Sequence, residues 1–108
     1  MSMISITTTA YAASLVASDQ PATLYRVMGY NSKASAQFIQ VHDAASLPAD
    51  AAIPKIVITV AATSNFDIDL GIYGKSFQTG VVICNSSTGA TKTIGAADCW
   101  IDAQLIKG

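Results

Sequence analysis

Glutamate is absent from this 108-residue chain, and charge of either sign is scarce: six Lys and Arg against seven Asp, 12% of the residues. That is about half the charged fraction of an ordinary soluble domain. The net charge of −1 provides no basic field to attract DNA or RNA. Apolar runs are short, and none approaches the ~18 residues of a membrane-spanning helix. The opening Met1 to Thr9 lacks a basic segment followed by an apolar core, so no signal peptide is expected. Without export, Cys84 and Cys99 read as thiols rather than a disulfide, and the Asn85-Ser86-Ser87 sequon carries no information. One histidine and two cysteines, with no C-x-x-C spacing, do not point to a structural zinc site.

Ala, Ser and Thr fill the places that Lys and Glu usually occupy. A protein that stays monomeric at high concentration needs more charge than this. A weakly charged surface suits a subunit covered by its partners, although a β domain rich in small residues reads the same way. The length allows one domain with one core.

Helical periodicity is weak throughout. Ile4 to Thr8 and Ala12 to Val16 read as short strands or as an extended arm over residues 1–20, ahead of a β domain over 21–108. Thr23 to Tyr30 and Ala36 to His42 are rich in residues that fit a pleated surface, and the Asn31-Ser32-Lys33 turn between them predicts a hairpin. Asp43 to Pro54, in which Pro48 and Pro54 bracket an Ala/Asp stretch, reads as a loop. Lys55 to Ala62 is the most continuous apolar strand and predicts burial on both faces, in the middle of a sandwich. Phe66, Ile68 and Leu70 alternate with Asp67 and Asp69, as in a strand with one wet face. Thr79 to Asn85 and Ala97 to Ile106 form the final pair. Six to eight short strands at even spacing predict an all-β, single-domain antiparallel β-sandwich of jelly-roll-like form.

No stretch carries convincing catalytic chemistry. Asp69 to Ser76 ends like a phosphate-binding loop in Gly74-Lys75-Ser76, but Asp69 stands where that motif needs glycine and no helix is expected to follow. A turn whose glycines adopt unusual backbone angles is the better reading. If the last two strands pair about a centre between Thr91 and Lys92, Cys84 lies opposite Cys99 and Val82 opposite Ile101. The thiols would then be small buried hydrophobes or an opposed pair able to oxidise. His42 and Asp43 adjoin but point to opposite strand faces, which favours a surface or interface histidine over a relay. Asp67 and Asp69 share a face, yet calcium wants ~6–8 oxygens, so they read as solvated charges.

Trp100 differs. In the final strand Cys99, Ile101, Ala103 and Leu105 share one face, and Trp100, Asp102 and Gln104 share the other. With the first set in the core, Trp100 is an outward anchor for a partner; packing under the Asp43–Pro54 loop is the alternative. Tyr73, at the glycine bend, and Phe38, beside Gln40 and His42 on its strand, join Trp100 as expected interface residues.

Three stretches carry a family resemblance: Leu24-Tyr25-Arg26-Val27-Met28-Gly29-Tyr30-Asn31-Ser32; Ala36-Gln37-Phe38-Ile39-Gln40-Val41-His42-Asp43-Ala44; and Gly80 to Thr88 with Lys92-Thr93 and Asp98-Cys99-Trp100. Together they resemble small β-sandwich structural proteins in the virions of tailed bacteriophages. The resemblance implies a non-enzymatic subunit, without cofactor, metal, nucleic-acid or membrane partner. It would decorate or cement the head as a homo-oligomer, a trimer, on the major capsid protein, within a virion assembled in the host cytoplasm. A neck or tail accessory place, or a receptor- or carbohydrate-binding module of the tail, is the alternative.

Overall fold

Nine strands and no helix make up the described residues, 2–108, of the computed structural model. They are β1 (Ile4–Thr7), β2 (Ser14–Ser18), β3 (Ala22–Asn31), β4 (Gln37–His42), β5 (Ile56–Val60), β6 (Ser64–Asp69), β7 (Lys75–Phe77), β8 (Val81–Ser86) and β9 (Cys99–Lys107). Sheet A has the order β1-β9-β3-β6, with β7 also paired to β3; sheet B has the order β2-β8-β4-β5. Every pairing is antiparallel.

The order follows from one folding of the chain. Doubled back between β4 and β5, the chain forms a ribbon of pairs: β4·β5, then β3·β6 and β3·β7, then β2·β8, then β1·β9. Rolling that ribbon brings β9 beside β3 and β8 beside β4, which closes both sheets. This is the jelly-roll connection. β6 and β7 share one position, since β6 faces residues 26–31 of β3 and β7 faces residues 22–24.

Alternation along the strands places the core. From sheet A, Leu24, Val27, Ile101, Ala103 and Leu105 are buried inward, with Phe66 and Phe77. From sheet B, Ile39, Val41, Val60, Val81 and Ile83 meet them, with Leu15, Ile56 and Ile58 at the margin. The alternation expected for β6 and for β9 is the one observed.

Three expectations are corrected. First, β3 and β4 do not form a hairpin: they lie in different sheets. Residues 32–36 span the ~10 Å between stacked sheets, and the Asn31 side chain ties this crossing down, donating to Ser35 O and Ala61 O and accepting from Lys33 N. Second, β8 and β9 do not pair with each other, so Cys84 and Cys99 are not opposed; each is a free, buried thiol in its own sheet. Third, β5 is the outer strand of sheet B rather than a central one, and Val57 is exposed. Its unbroken apolar run comes from packing at the sandwich margin, where only alternate side chains turn inward. The first twenty residues, read as an arm or as strands, supply one edge strand to each sheet.

Candidate functional site

The outer faces of the two sheets differ. That of sheet B is roofed by the chain's two longest connections, residues 43–55 and 87–98. Outward-facing Gln40, His42, Val82, Cys84 and Ser86 are therefore buried. The loops are stapled together: Ala51 N donates to Lys92 O, and Lys92 N donates to Ala52 O, both at 2.8 Å. Ala51 takes a left-handed φ of 76° to make this contact, a conformation that costs a non-glycine residue ~1–2 kcal/mol. Lys92 threads inward with its side chain 3% exposed, and its Nζ reaches Asp50 Oδ1 at 2.6 Å. The same Asp50 oxygen accepts from Ile94 N. The ammonium, and secondly the Ile94 amide, hold the Asp50 carboxyl below its ordinary pKa.

Gln40 holds the roof from below. Its Nε2 donates to the carbonyls of Thr88, Gly89 and Thr91 at 2.9, 2.9 and 3.1 Å. Its Oε1 therefore faces His42 Nε2 at 3.0 Å and Cys84 Sγ at 3.9 Å. That assignment requires His42 to carry its hydrogen on Nε2. The surface position expected for His42 is thus overturned: the roof covers it, and 2% of it is exposed. Burial, and then the charge of Lys92, lower its pKa. Burial likewise pushes the Cys84 and Cys99 thiols up to about 11, so both stay protonated and unreactive near neutrality.

Asp43 closes the neighbouring loop. Its carboxylate accepts from three successive backbone amides: Gln78 N at 3.1 Å, Thr79 N at 2.8 Å and Gly80 N at 3.3 Å. Burial alone would raise its pKa, but these donors outweigh burial and lower it. The chain's own side chain thus occupies this anion-binding concavity.

Among the described residues, no long loop roofs the outer face of sheet A. Trp100 is there, 37% exposed, with its ring centroid 5.3 Å from that of Tyr11 at a tilt of 54°. Tyr30 is its partner across the β3·β9 ladder. Trp100 thus faces outward as expected, and its aromatic contact is Tyr11. Further along the same face, β3 bulges between Leu24 and Arg26. Leu24 and Val27 both point into the core, so Tyr25 and Arg26 are both left outside, which is how a bulge re-aims side chains. Arg26 makes a two-bond contact with Asp67, Nε to Oδ1 at 2.9 Å and Nη2 to Oδ2 at 2.5 Å. The hydrogen bond to Arg26 and its charge, working against slight burial, lower the pKa of Asp67. Beside them an open groove of about 430 Å³ is lined by Met3, Tyr25, Arg26, Asp69, Gly71, Ile72 and Gln104.

The other expected interface residues lie elsewhere. Tyr73 is 87% exposed at the tip of the β6–β7 turn, where Gly71 and Gly74 take φ of 80° and 65°. This is the glycine turn expected in place of a phosphate loop, and Lys75-Ser76 open a strand, not a helix. Phe38 is half-buried on the outer side of sheet B, against Gly89 of the roof. Trp100, Tyr73 and Phe38 do not form one patch. Tyr11 and the roof residues Lys92 and Asp50 escaped sequence reasoning because only the folded topology brings them to their partners. Among the described residues, no three His, Cys, Asp or Glu side chains gather as a metal site.

Comparison with protein-family models, curated proteins and solved structures finds no match.

Proposed function

We propose that this chain is a non-enzymatic virion subunit of the head-decoration type, which self-associates as a trimer and clamps neighbouring capsid proteins. The observation that carries this reading is the inequality of the two sheet faces. One face is sealed by the chain's own loops. The other presents Trp100 and Tyr11 at the surface, with half-buried Tyr30 beside them, and its charges include Asp102 and the mutually paired Arg26 and Asp67. Clustered exposed aromatics of this kind are the usual anchors of an interface. The jelly roll serves viral shells among other roles, and that support is one of analogy in fold.

Sedimentation of the purified protein and its binding to undecorated particles test the proposal. A trimer that decorates particles is expected, with Trp100→Ala weakening attachment at least tenfold while leaving the fold intact. A monomer that binds no particle would remove the reading. A second reading, a carbohydrate- or receptor-binding module, is favoured by the groove at the β3 bulge. There Tyr25 and Ile72 offer apolar surface beside the polar Arg26, Asp69 and Gln104. A glycan array should then show binding that is lost in Arg26→Ala; an array without signal counts against it.

A further inference from the structure

The centre of the roof over sheet B holds the chain's one histidine, a group that the proposed partner-binding face does not use. We propose that this roof is an acid-released latch: protonation of His42 frees the 43–55 and 87–98 loops from sheet B while the two-sheet core stays closed.

The geometry fixes one neutral tautomer beneath the closed roof, with the hydrogen on Nε2, and burial opposes a second proton. The Gln40 amide nitrogen is committed to three roof carbonyls, so its oxygen faces the His42 Nε2–H. A neutral imidazole satisfies that contact. A second proton creates a cation that is 2% exposed, beneath Lys92, which is 3% exposed. No carboxylate compensates on the sheet side. From β8 the neighbouring titratable group is Cys84, a neutral thiol. From β2, Ser14 and Val16 stand opposite Cys84 and Val82. Lys55, ahead of β5, is exposed and its charge acts on Asp43. Asp50 is engaged with Lys92 at the surface. Burial, and after it the Lys92 charge, therefore oppose protonation while the roof is shut. Lifting the loops returns both cations to water.

The core is insulated from this event. Ile39, Val41, Val81 and Ile83 project from the opposite side of the same strands. Across the middle of the roof the closing bonds are loop-to-loop or loop-to-side-chain: Ala51 to Lys92, Lys92 to Ala52, Ile94 to Asp50, and Gln40 to residues 88–91; only at the strand ends do loop amides reach strand backbone, Lys55 N to Val41 O and Gly95 N to Asn85 O, with a bridge between Ser86 and Ile94. The sheet ladders need none of them.

Amide hydrogen exchange followed by NMR from about pH 8 to about pH 4, corrected for intrinsic rates, tests the latch. Opening at Ala51, Lys92 and Ile94 should grow up to tenfold per pH unit below about 6.5, the slope of one linked proton. Amides of the β3·β9 ladder should keep their protection. The imidazole resonance of the single histidine should titrate with the same midpoint as roof opening, below the ordinary histidine value. His42→Gln should flatten the slope. A slope retained in His42→Gln, a flat wild-type profile, or roof and core opening together would each overturn the proposal. Should that variant not fold, the wild-type imidazole titration decides alone, and a midpoint at or above the ordinary value refutes the latch.

Discussion

Gly29 lies in the middle of β3, with Ile101 of β9 on one side and Phe66 of β6 on the other. A Cβ built on it would stand 1.9 Å from the Trp100 carbonyl oxygen and 2.4 Å from Phe66 Cζ. The first obstacle is backbone in the most extensive strand pairing of the molecule, so it cannot swing aside as a side-chain tip would. The second is an aromatic ring packed over the glycine within the core. Overpacking a well-filled interior costs ~1–3 kcal/mol. With backbone on one side, Gly29→Ala belongs at the upper end, ~3 kcal/mol, equivalent to a Tm lowered by roughly 12–24 °C for a domain of this size. Gly71→Ala is the control. Among the described residues nothing lies within 4 Å of its Cβ, and only its φ of 80° resists the change. It should cost ~1–2 kcal/mol, about 4–16 °C. Thermal unfolding followed by the fluorescence of Trp100 measures both. A Gly29→Ala protein melting within about 4 °C of wild type, or above Gly71→Ala, would refute the packing argument.

Asp43→Asn removes the charge from a carboxylate that holds three amides, and should cost about 1–2 kcal/mol, at the low end for charged hydrogen bonds because the group is half-exposed. Since the folded pKa of Asp43 is lowered, its contribution is present above the unfolded value and is lost as pH falls through the folded one. Urea melts of wild type and variant should thus converge in acid. With thiol pKa values of about 11, roughly one thiol in a thousand is ionised at pH 8; a disulfide-exchange reagent should label neither cysteine in the native protein and both in denaturant. A double-mutant cycle on Tyr11 and Trp100 should return a coupling of ~0.5–1.5 kcal/mol, measured by chemical denaturation, and no coupling would mean that the ring contact is incidental.

Much of the sandwich was legible because one-faced burial writes itself into alternation. Phe66-Asp67-Ile68-Asp69 and Cys99-Trp100-Ile101-Asp102 each state which side faces water, and the structure agrees. Pairing was not legible. A turn signal such as Asn31-Ser32-Lys33 marks where the chain bends, but a bend into the same sheet and a bend across to the other sheet use the same residues. The error in β5 has a related cause: a strand at the sandwich margin can carry Val57 outward and still look continuous. His42 and Lys92 defeated sequence reading for a different reason. Lys is almost never fully buried unless paired and His is intermediate in burial, and both are covered here by loops whose own composition predicts only solvent exposure.

The same loops decide which face the molecule offers. In a jelly roll the strand order is closed by the ribbon, so neither sheet is obliged to be the exposed one. Here the two longest connections, β4 to β5 and β8 to β9, both run back over sheet B. They are held by Gln40 from below and by Lys92 and Asp50 across their seam. Sheet A receives no comparable cover, since β6 reaches β7 by a tight glycine turn and its remaining connections cross to the other sheet. Its outer face therefore keeps Trp100 and Tyr11 at the surface in a chain with few charges to hold neighbours apart. If that inequality directs association, closing the roof should leave partner binding on sheet A untouched. Opening it should add a second adhesive face, through Phe38 and Val82. Association beyond the trimer that appears only in acid, and is abolished by His42→Gln without loss of neutral-pH binding, is the outcome that separates the two faces.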